Sequence, residues 1–561
     1  MHMNARRYVL LARWACVLAL FHAGLASAQR LPPTGGQILR ELEPLRTPEN
    51  VPTPGIEVGP PPAAPAGGEA KIWVRRLAIE GNTAAETAEL HSLVAYLEGR
   101  EVTLTELQAA AHRITLLYRA RGYPLARALV PAQTPVDGVV RIVVMEARYD
   151  QVALDNRSRI EDALLWRTLS EVQQGQPVEQ PPLDAALLRI GDLPGARASA
   201  TLSPGGKTGT TDVTVHVDPA ARFAGNVGAD NLGSRYTGRG RASASLGVNN
   251  LSGWGDLLGA DVLTSGSGLH YGRLGYSTAL NGYGTRLGLS YSALDYRIGK
   301  ELHALDARGR AYQGSLWLTH PFVRGPQLNI SGLMQLDHKR LEDDINSIDF
   351  YNRRRTLDWT TALMVNRRDE QGGGVTSGSL SFTLGRLRFD DDEARRVDEE
   401  FAGTQGHFTR WNLSVSRLQP LTARTRLYVS LTGQYSGRNL DSGEQFLLGG
   451  PGSIRGYDVT TLAGASGYQA TIELQHTLAV PLPGQWDASV FADTGKIWVD
   501  PEGRAAGANH AGLSSVGLGL LWSGPAQWTA NVQVATPVGP TPSMAGLRPS
   551  TRVWLQVSKG F

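Results

Sequence analysis

About 340 C-terminal residues constrain this chain most. From about residue 222 to Phe561 it is a succession of short segments in which apolar and polar or small side chains alternate. Trp528, Ala530, Val532 and Val534 stand against Gln527, Thr529, Asn531 and Gln533, and Val516, Leu518, Leu520 and Trp522 against Gly517 and Gly519. A period of two puts successive side chains on opposite faces of a strand. Alternation alone does not say whether the apolar face points into a core or out to lipid. The connections decide. About 16 strands fit, at ~21 residues per strand plus connection, which suits membrane strands of ~10 residues. Long connections are expected near 295–309, 339–352, 390–405, 436–466, 496–510 and 538–549, and short ones near 249–254, 279–282, 418–423, 481–485 and 523–526. Short turns on one side and long loops on the other are the layout of an outer-membrane barrel, and an even strand count leaves both ends periplasmic. The 65 glycines in 561 residues fit a chain of strands and tight turns rather than disorder.

The N-terminus fits export. Arg6, Arg7 and Arg13 precede an apolar stretch from Trp14 to Phe21, and Ala26-Ser27-Ala28 supplies a small-residue cleavage pattern, so residues 1–28 read as a signal peptide cleaved after Ala28. The apolar stretch is too short to span a membrane as a helix, and no other segment approaches 18 apolar residues. The one cysteine, Cys16, lies inside the signal, and Arg13 three positions before it spoils a lipoprotein reading. A mature chain without a thiol has no disulfide framework, no cysteine catalysis and no Cys-ligated zinc. Past residue 28, basic and acidic residues balance, so charge gives no argument for nucleic acid as a partner.

Between signal and barrel the chain divides again. Residues 29–47 hold a short helical pattern with Ile38, Leu39, Leu42 and Leu45 on one face, and 48–70 are rich in proline, an extended semi-rigid spacer. Residues 71–148 read as strand, helix, helix, strand, strand. Thr83 with Glu86 and Thr103 with Glu106 are expected to form capping boxes, and Asp137-Gly138 joins the last two strands. The same order recurs over 149–220, with a third box expected at Ser158 and Glu161. Two small α+β domains in tandem therefore precede the barrel at 221–561.

No catalytic constellation is present: no phosphate-binding glycine loop, no paired-histidine zinc motif and no nucleophile elbow. The expectation is a protein that is not an enzyme and takes no cofactor or metal. The acidic stretches Glu342-Asp343-Asp344 and Asp390-Asp391-Asp392-Glu393 read as solvated extracellular loops rather than cation sites.

Two motifs stand out. The longest loop contains Phe446-Leu447-Leu448-Gly449-Gly450 and then Ser453-Ile454-Arg455-Gly456-Tyr457, and a later strand carries Phe491-Ala492-Asp493-Thr494-Gly495. With these in register inside this architecture, the chain resembles the two-partner secretion transporters, or haemolysin activation/secretion proteins, of the POTRA-plus-barrel superfamily. The resemblance covers plug helix, linker, two POTRA domains and a 16-stranded barrel. It implies that the long loop folds back into the pore, where Arg455 contacts Asp493, and that the POTRA domains capture the N-terminal secretion domain of an unfolded exoprotein cargo. The terminal strand, with Val553, Leu555, Val557 and Phe561 on one face, resembles the signal read when such barrels are inserted, which implies barrel-assembly machinery and outer-membrane lipid as further partners.

Strand parity points to the same place independently. Trp486, Ala488, Val490 and Ala492 form an apolar row, which leaves Asp487, Ser489, Phe491, Asp493 and Gly495 facing the lumen. An arginine meeting that carboxylate could anchor the loop, gate it, or both. A barrel-assembly factor and a passive porin are the rival readings. The first usually carries more POTRA domains and no plug helix, and the second needs no periplasmic domains.

Overall fold

The computed structural model describes residues 32–42, 55–58, 71–370, 372–504, 507–546 and 550–561. The signal segment, Leu45 and all of the proline-rich stretch except 55–58 lie outside the described residues.

Among the described residues the first elements are helix α1 (Gly35–Leu42) and a short strand β1 (Gly55–Val58). The first α+β domain contains β2 (Lys71–Val74), β3 (Arg76–Glu80), α2 (Thr87–Ser92), β4 (Arg100–Thr103), α3 (Leu104–Ala120), β5 (Arg127–Leu129) and β6 (Val139–Met145). β2 pairs with β4, and a second sheet runs β3-β6-β5. Leu77, Leu90, Val94, Leu97, Leu107, Ile114 and Ile142 make the core that these elements enclose. α3 begins at a true capping box: the Thr103 hydroxyl accepts from the Glu106 amide while the Glu106 carboxylate accepts from the Thr103 amide.

The box expected at Thr83 does not form. The backbone of Glu86 starts α2 without a side-chain cap, because Thr83 is engaged elsewhere. Glu146, just after β6, accepts from the amides of Thr83 (2.6 Å) and Ala84 (2.7 Å), from the Tyr118 hydroxyl (2.7 Å) and from the Thr83 hydroxyl. A tertiary carboxylate has outcompeted a local cap.

The second domain contains β7 (Arg148–Asn156), α4 (Asp162–Thr168), α5 (Gln180–Gly191), β8 (Ala196–Pro204) and β9 (Thr210–Pro219). Ser158 also fails to cap a helix. Its hydroxyl donates to Asn156 and accepts from the Ile160 amide, closing a turn ahead of α4. The sheet order is β1-β8-β9-β7. β1, inside the segment expected to be a plain spacer, pairs in parallel with β8, Gly55 opposite Ser199 and Val58 opposite Leu202.

The domains abut each other and the barrel. The Gln180 amide donates to the Gly122 carbonyl (2.8 Å), and Arg324, at the rim of the barrel nearest these domains, reaches Asp192 through two bonds of 2.7 and 2.6 Å.

The barrel strands are β10 (Phe223–Asp230), β11 (Arg241–Asn249), β12 (Leu257–Thr264), β13 (Leu269–Ala279), β14 (Arg286–Arg297), β15 (Ala307–Arg324), β16 (Leu328–Ile345), β17 (Phe350–Arg368), β18 (Val375–Phe389), β19 (Gly406–Pro420) and β20 (Thr425–Tyr435). A hairpin of β21 (Phe446–Leu448) and β22 (Leu462–Gly464) interrupts, and β23 (Ser466–Thr477), β24 (Gln485–Trp498), β25 (His510–Ser523), β26 (Trp528–Pro537) and β27 (Arg552–Gly560) complete the ring. Among the described residues sixteen antiparallel strands close on themselves, β27 returning to β10 with Gly560 opposite Asn226. Phe561 exchanges backbone hydrogen bonds with Gly225 and leaves its ring exposed on the outer face.

One expected loop is absent. The connection placed near 339–352 is strand almost throughout: β16 runs to Ile345 and β17 starts at Phe350. The Glu342-Asp343-Asp344 run is therefore not a solvated loop. It lies on β16, where parity turns Asp343 inward. The second acidic run does sit between strands, where Asp391 caps the short helix α6 (Asp392–Phe401) through the amides of Glu393 and Ala394.

Burial alone would raise the pKa of Glu146, but its amide and hydroxyl donors outweigh burial and hold it below the usual carboxylate range. Glu146→Ala is expected to destabilise a 71–220 fragment by about 2–3 kcal/mol, read by urea unfolding. Because the folded-state pKa is depressed, that contribution is present above the unfolded value of 4.5 and is lost as pH falls through the folded value. The gap between wild type and variant should therefore narrow as pH falls below 4.5 and through the folded value.

Candidate functional site

The loop after β20 turns back into the barrel instead of projecting from it. Phe446, Leu448, Ile454, Tyr457 and Leu462 pack against Ile497, Ala511 and Leu513 of the wall and against Ala545 in the connection between β26 and β27. This apolar seat delivers Arg455 to the lumenal face of β24. Gly456 permits the approach: a Cβ there would lie 2.7 Å from that of Ser515 and 3.0 Å from the Pro537 nitrogen.

Arg455 meets Asp493 as two forks. Its Nε donates to one carboxylate oxygen at 3.0 Å, Nη2 to the other at 2.8 Å, and its own amide adds a third bond at 3.2 Å. The Asp493 oxygens also accept from Thr471 and Ser515, each at 3.0 Å. The remaining guanidinium nitrogen reaches Glu473 at 2.7 Å, the guanidinium lies over the ring of Phe491, and the Trp554 indole donates to the Arg455 carbonyl at 2.8 Å. Asp493 and Arg455 are both buried. A planar, bidentate, desolvated pair of this kind is much stronger than an exposed one. Tyr457 is buried beside it, and Gly495 leaves room for Leu448 and Ile454.

The helix lies across the same lumen. Ile38 and Leu39 of α1 are buried against Leu269, Leu294, Tyr296, Ala311 and Leu341, and Leu42 is half-buried at the edge of this cluster. Its other contacts are polar. The Gly35 amide donates to Asp343 (2.8 Å), the Thr34 hydroxyl to Ser442 (2.8 Å), and Arg40 to Gln434 (2.7 Å), with Glu444 3.6 Å away. Glu444 is fully buried and is also held by Lys339 (2.6 Å) and Arg410 (3.0 Å), while Arg354 spans Asp343 (2.7 Å) and Asp441 (2.5 Å). Residues 441–444 belong to the long loop, so loop, helix and wall share one charge network.

A family model described as haemolysin secretion/activation protein ShlB/FhaC/HecB matches residues 209–521, and one for a ShlB-type POTRA domain matches 72–147. The heme/hemopexin transporter protein HuxB of Haemophilus influenzae is 30% identical over 485 residues, covering 86% of this chain and 85% of its own. The outer membrane transporter CdiB of Escherichia coli is 26% identical, with the same coverage. The chain belongs to the haemolysin secretion/activation family. It is an outer-membrane protein-secretion transporter, and its POTRA domains lie in the periplasm. A solved structure of CdiB from Escherichia coli, 23% identical, has the same fold, with a TM-score of 0.70 over 91% of this chain and 94% of that one.

Several residues of this transporter's lumen escaped the sequence reading. Glu473 was legible by parity, since Gln469, Thr471, Glu473 and Gln475 alternate with Tyr468, Ala470, Ile472 and Leu474 as Asp493 does with its neighbours. Asp458, one residue past the loop motif, ties the loop to Arg239 (3.0 Å) and Arg552 (2.8 Å). Only the fold brings those three together, and the same holds for Asp343, Arg354, Asp441 and Glu444.

Arg455→Ala would leave Asp493 buried without its cation, a change that typically costs about 3–5 kcal/mol. The expected outcome is a displaced loop and at least a tenfold loss of secretion, with the barrel still folded by heat-modifiable gel mobility. Arg455→Lys should rescue poorly, because an ammonium lacks the planar fork. Normal secretion by Arg455→Ala would remove the arginine from function. The exchange Arg455→Asp with Asp493→Arg separates contact from position.

Proposed function

We propose that this transporter secretes a large β-helical exoprotein, which enters unfolded from the periplasm and leaves through the lumen once α1 and the loop have moved. The observation that carries this reading is the filled pore: a loop held by Arg455 and Asp493, and a helix held by Ile38 and Leu39 on one side and by hydrogen bonds and charge on the other. Anchoring is the first role of the Arg455–Asp493 pair, and its release is one route to gating. α1 acts as the plug, with Ile38 and Leu39 as its apolar face.

Cargo capture rests on sheet edges. An extended segment can add to an exposed edge through backbone hydrogen bonds, with alternate side chains read in flanking grooves. The edge at β8 accepts an extended segment of this chain itself, β1. In the first domain β5 is an edge strand, and Trp73, Tyr96 and Leu116 expose apolar surface to a passing chain. The cargo's N-terminal secretion domain is the partner that fits. The protein acts without catalytic chemistry, and folding of the cargo outside supplies direction. Phe561, with its ring on the outer face at the closing strand pair, serves as the element that barrel-assembly machinery reads during insertion, and outer-membrane lipid covers the apolar band. A passive porin is disfavoured because solute diffusion requires neither a latched plug nor periplasmic domains.

Deleting residues 29–50 should raise single-channel conductance in planar bilayers while leaving secretion largely intact, and unchanged conductance would remove the plug assignment. Titration of fragment 71–220 with the cargo's N-terminal segment should give binding that modest salt does not abolish, since backbone pairing is little screened. No binding at ~100 μM, or loss of binding in modest salt, would contradict capture by edge pairing.

A further inference from the structure

The outer face of β15–β18 carries an arrangement that neither the Arg455–Asp493 pair nor α1 uses. On β17 the outward residues run Arg367, Val365, Leu363, Thr361, Trp359, Leu357, Arg355 and Arg353. The two arginines bounding the apolar part are about 12 residues apart, and at ~3.3 Å per residue with a ~40° tilt this spans ~30 Å of height, the thickness of a bilayer's hydrocarbon core. Arg367 then stands at the periplasmic boundary and Arg355 at the outer one.

The cross-strand register brings like charges together at that outer boundary. Arg355 lies directly opposite Arg340 of β16 on one side and Arg388 of β18 on the other. Arg386 is opposite Leu357, one layer closer to the lipid. Directly opposed side chains have Cβ atoms ~5 Å apart, and like charges there repel. Glu342 takes up Arg340 at 3.0 Å and Asp390 takes up Arg355 at 2.5 Å. Among the described residues no carboxylate pairs with Arg386 or Arg388, and both side chains are exposed.

One layer further out the pattern differs. Arg310 and Arg353 each lie opposite Glu342, and Arg308 lies opposite Asp344. At the outer boundary of β16–β18, the arginines that face no carboxylate across the register therefore lie next to the apolar wall of Leu336, Trp359 and Leu384, all exposed.

We propose that this face is a docking site for the phosphorylated headgroup of an outer-leaflet glycolipid. Its phosphates would sit among Arg355, Arg386 and Arg388, and its acyl chains would run along Trp359 and Leu384. A phosphate matches the planar guanidinium fork bidentately. An anion between opposed arginines turns their repulsion into shared attraction, and the apolar wall below selects an anion that carries hydrocarbon. The inference depends on the membrane placement of the barrel and is independent of the cargo.

The test uses the full-length transporter purified in detergent, with a chelator present so that divalent cations do not bridge. The probes are lipopolysaccharide with its lipid A phosphates intact, the same material after phosphatase treatment, and inorganic phosphate; the readouts are thermal unfolding and native mass spectrometry. The intact lipid should bind and raise Tm, and the other two probes should not. The triple variant Arg355→Ala, Arg386→Ala and Arg388→Ala should bind the intact lipid at least tenfold more weakly while keeping its heat-modifiable mobility, and Arg367→Ala should bind like wild type. Should the triple variant misfold, Arg388→Gln alone should weaken binding several-fold. Equal binding of the dephosphorylated lipid, equal protection by inorganic phosphate, or unchanged affinity in the folded variants would overturn the proposal.

Discussion

A ring of sixteen strands encloses more space than its inward side chains can fill, and a barrel of this size ordinarily leaves an aqueous channel. Here polypeptide occupies that space. What enters such a lumen is held by charge and hydrogen bonding together with small apolar seats, Ile38 and Leu39 of α1 on Leu269, Leu294 and Leu341, and Ile454 and Tyr457 of the loop on Ile497 and Leu513. The Arg455–Asp493 pair meets this requirement, with every oxygen of Asp493 matched by donors from the loop, β23 and β25. Such a bond stabilises only with its geometry intact, since one partner alone leaves a buried charge.

The second set of contacts follows from the first. The loop that carries Arg455 also carries Asp441, Ser442 and Glu444, which touch α1 or the arginines and lysine around it. A loop seated at Asp493 therefore presents a prepared surface to the helix, and a displaced loop does not. The Gly36–Gly443 approach belongs to this logic: a Cβ on Gly36 would lie 2.7 Å from the Gly443 backbone, so the two segments meet backbone to backbone. α1 and the loop lie in the lumen as one assembly, held to the wall at two places.

The periplasmic side is built differently. There apolar cores of ordinary kind make two compact domains, and specific polar contacts such as Arg324 with Asp192 fix the second against the barrel rim. β1 completes its sheet, so the segment that follows α1 in sequence is tied to the second domain.

Much of this was legible from residue order because strands obey a period of two. Alternation, turn residues and the spacing of connections specified a barrel and its strand number, and parity alone put Asp493 in the lumen. Parity would have found Glu473 as well. The capping boxes divide instructively. Thr103 with Glu106 forms one because nothing else competes, whereas Thr83 and Ser158 bond outside their expected boxes, to Glu146 in the first case and within a turn in the second. The same limit applies to Asp343: a run of acids looks like a solvated loop until β16 and β17 extend to their full lengths and turn one carboxylate inward to Arg354 and α1. Local pattern determines which face a side chain takes and which element it joins. Which charges meet across a lumen is decided by how far the strands extend and how the ring closes, since partners hundreds of residues apart become neighbours only when every intervening register is set.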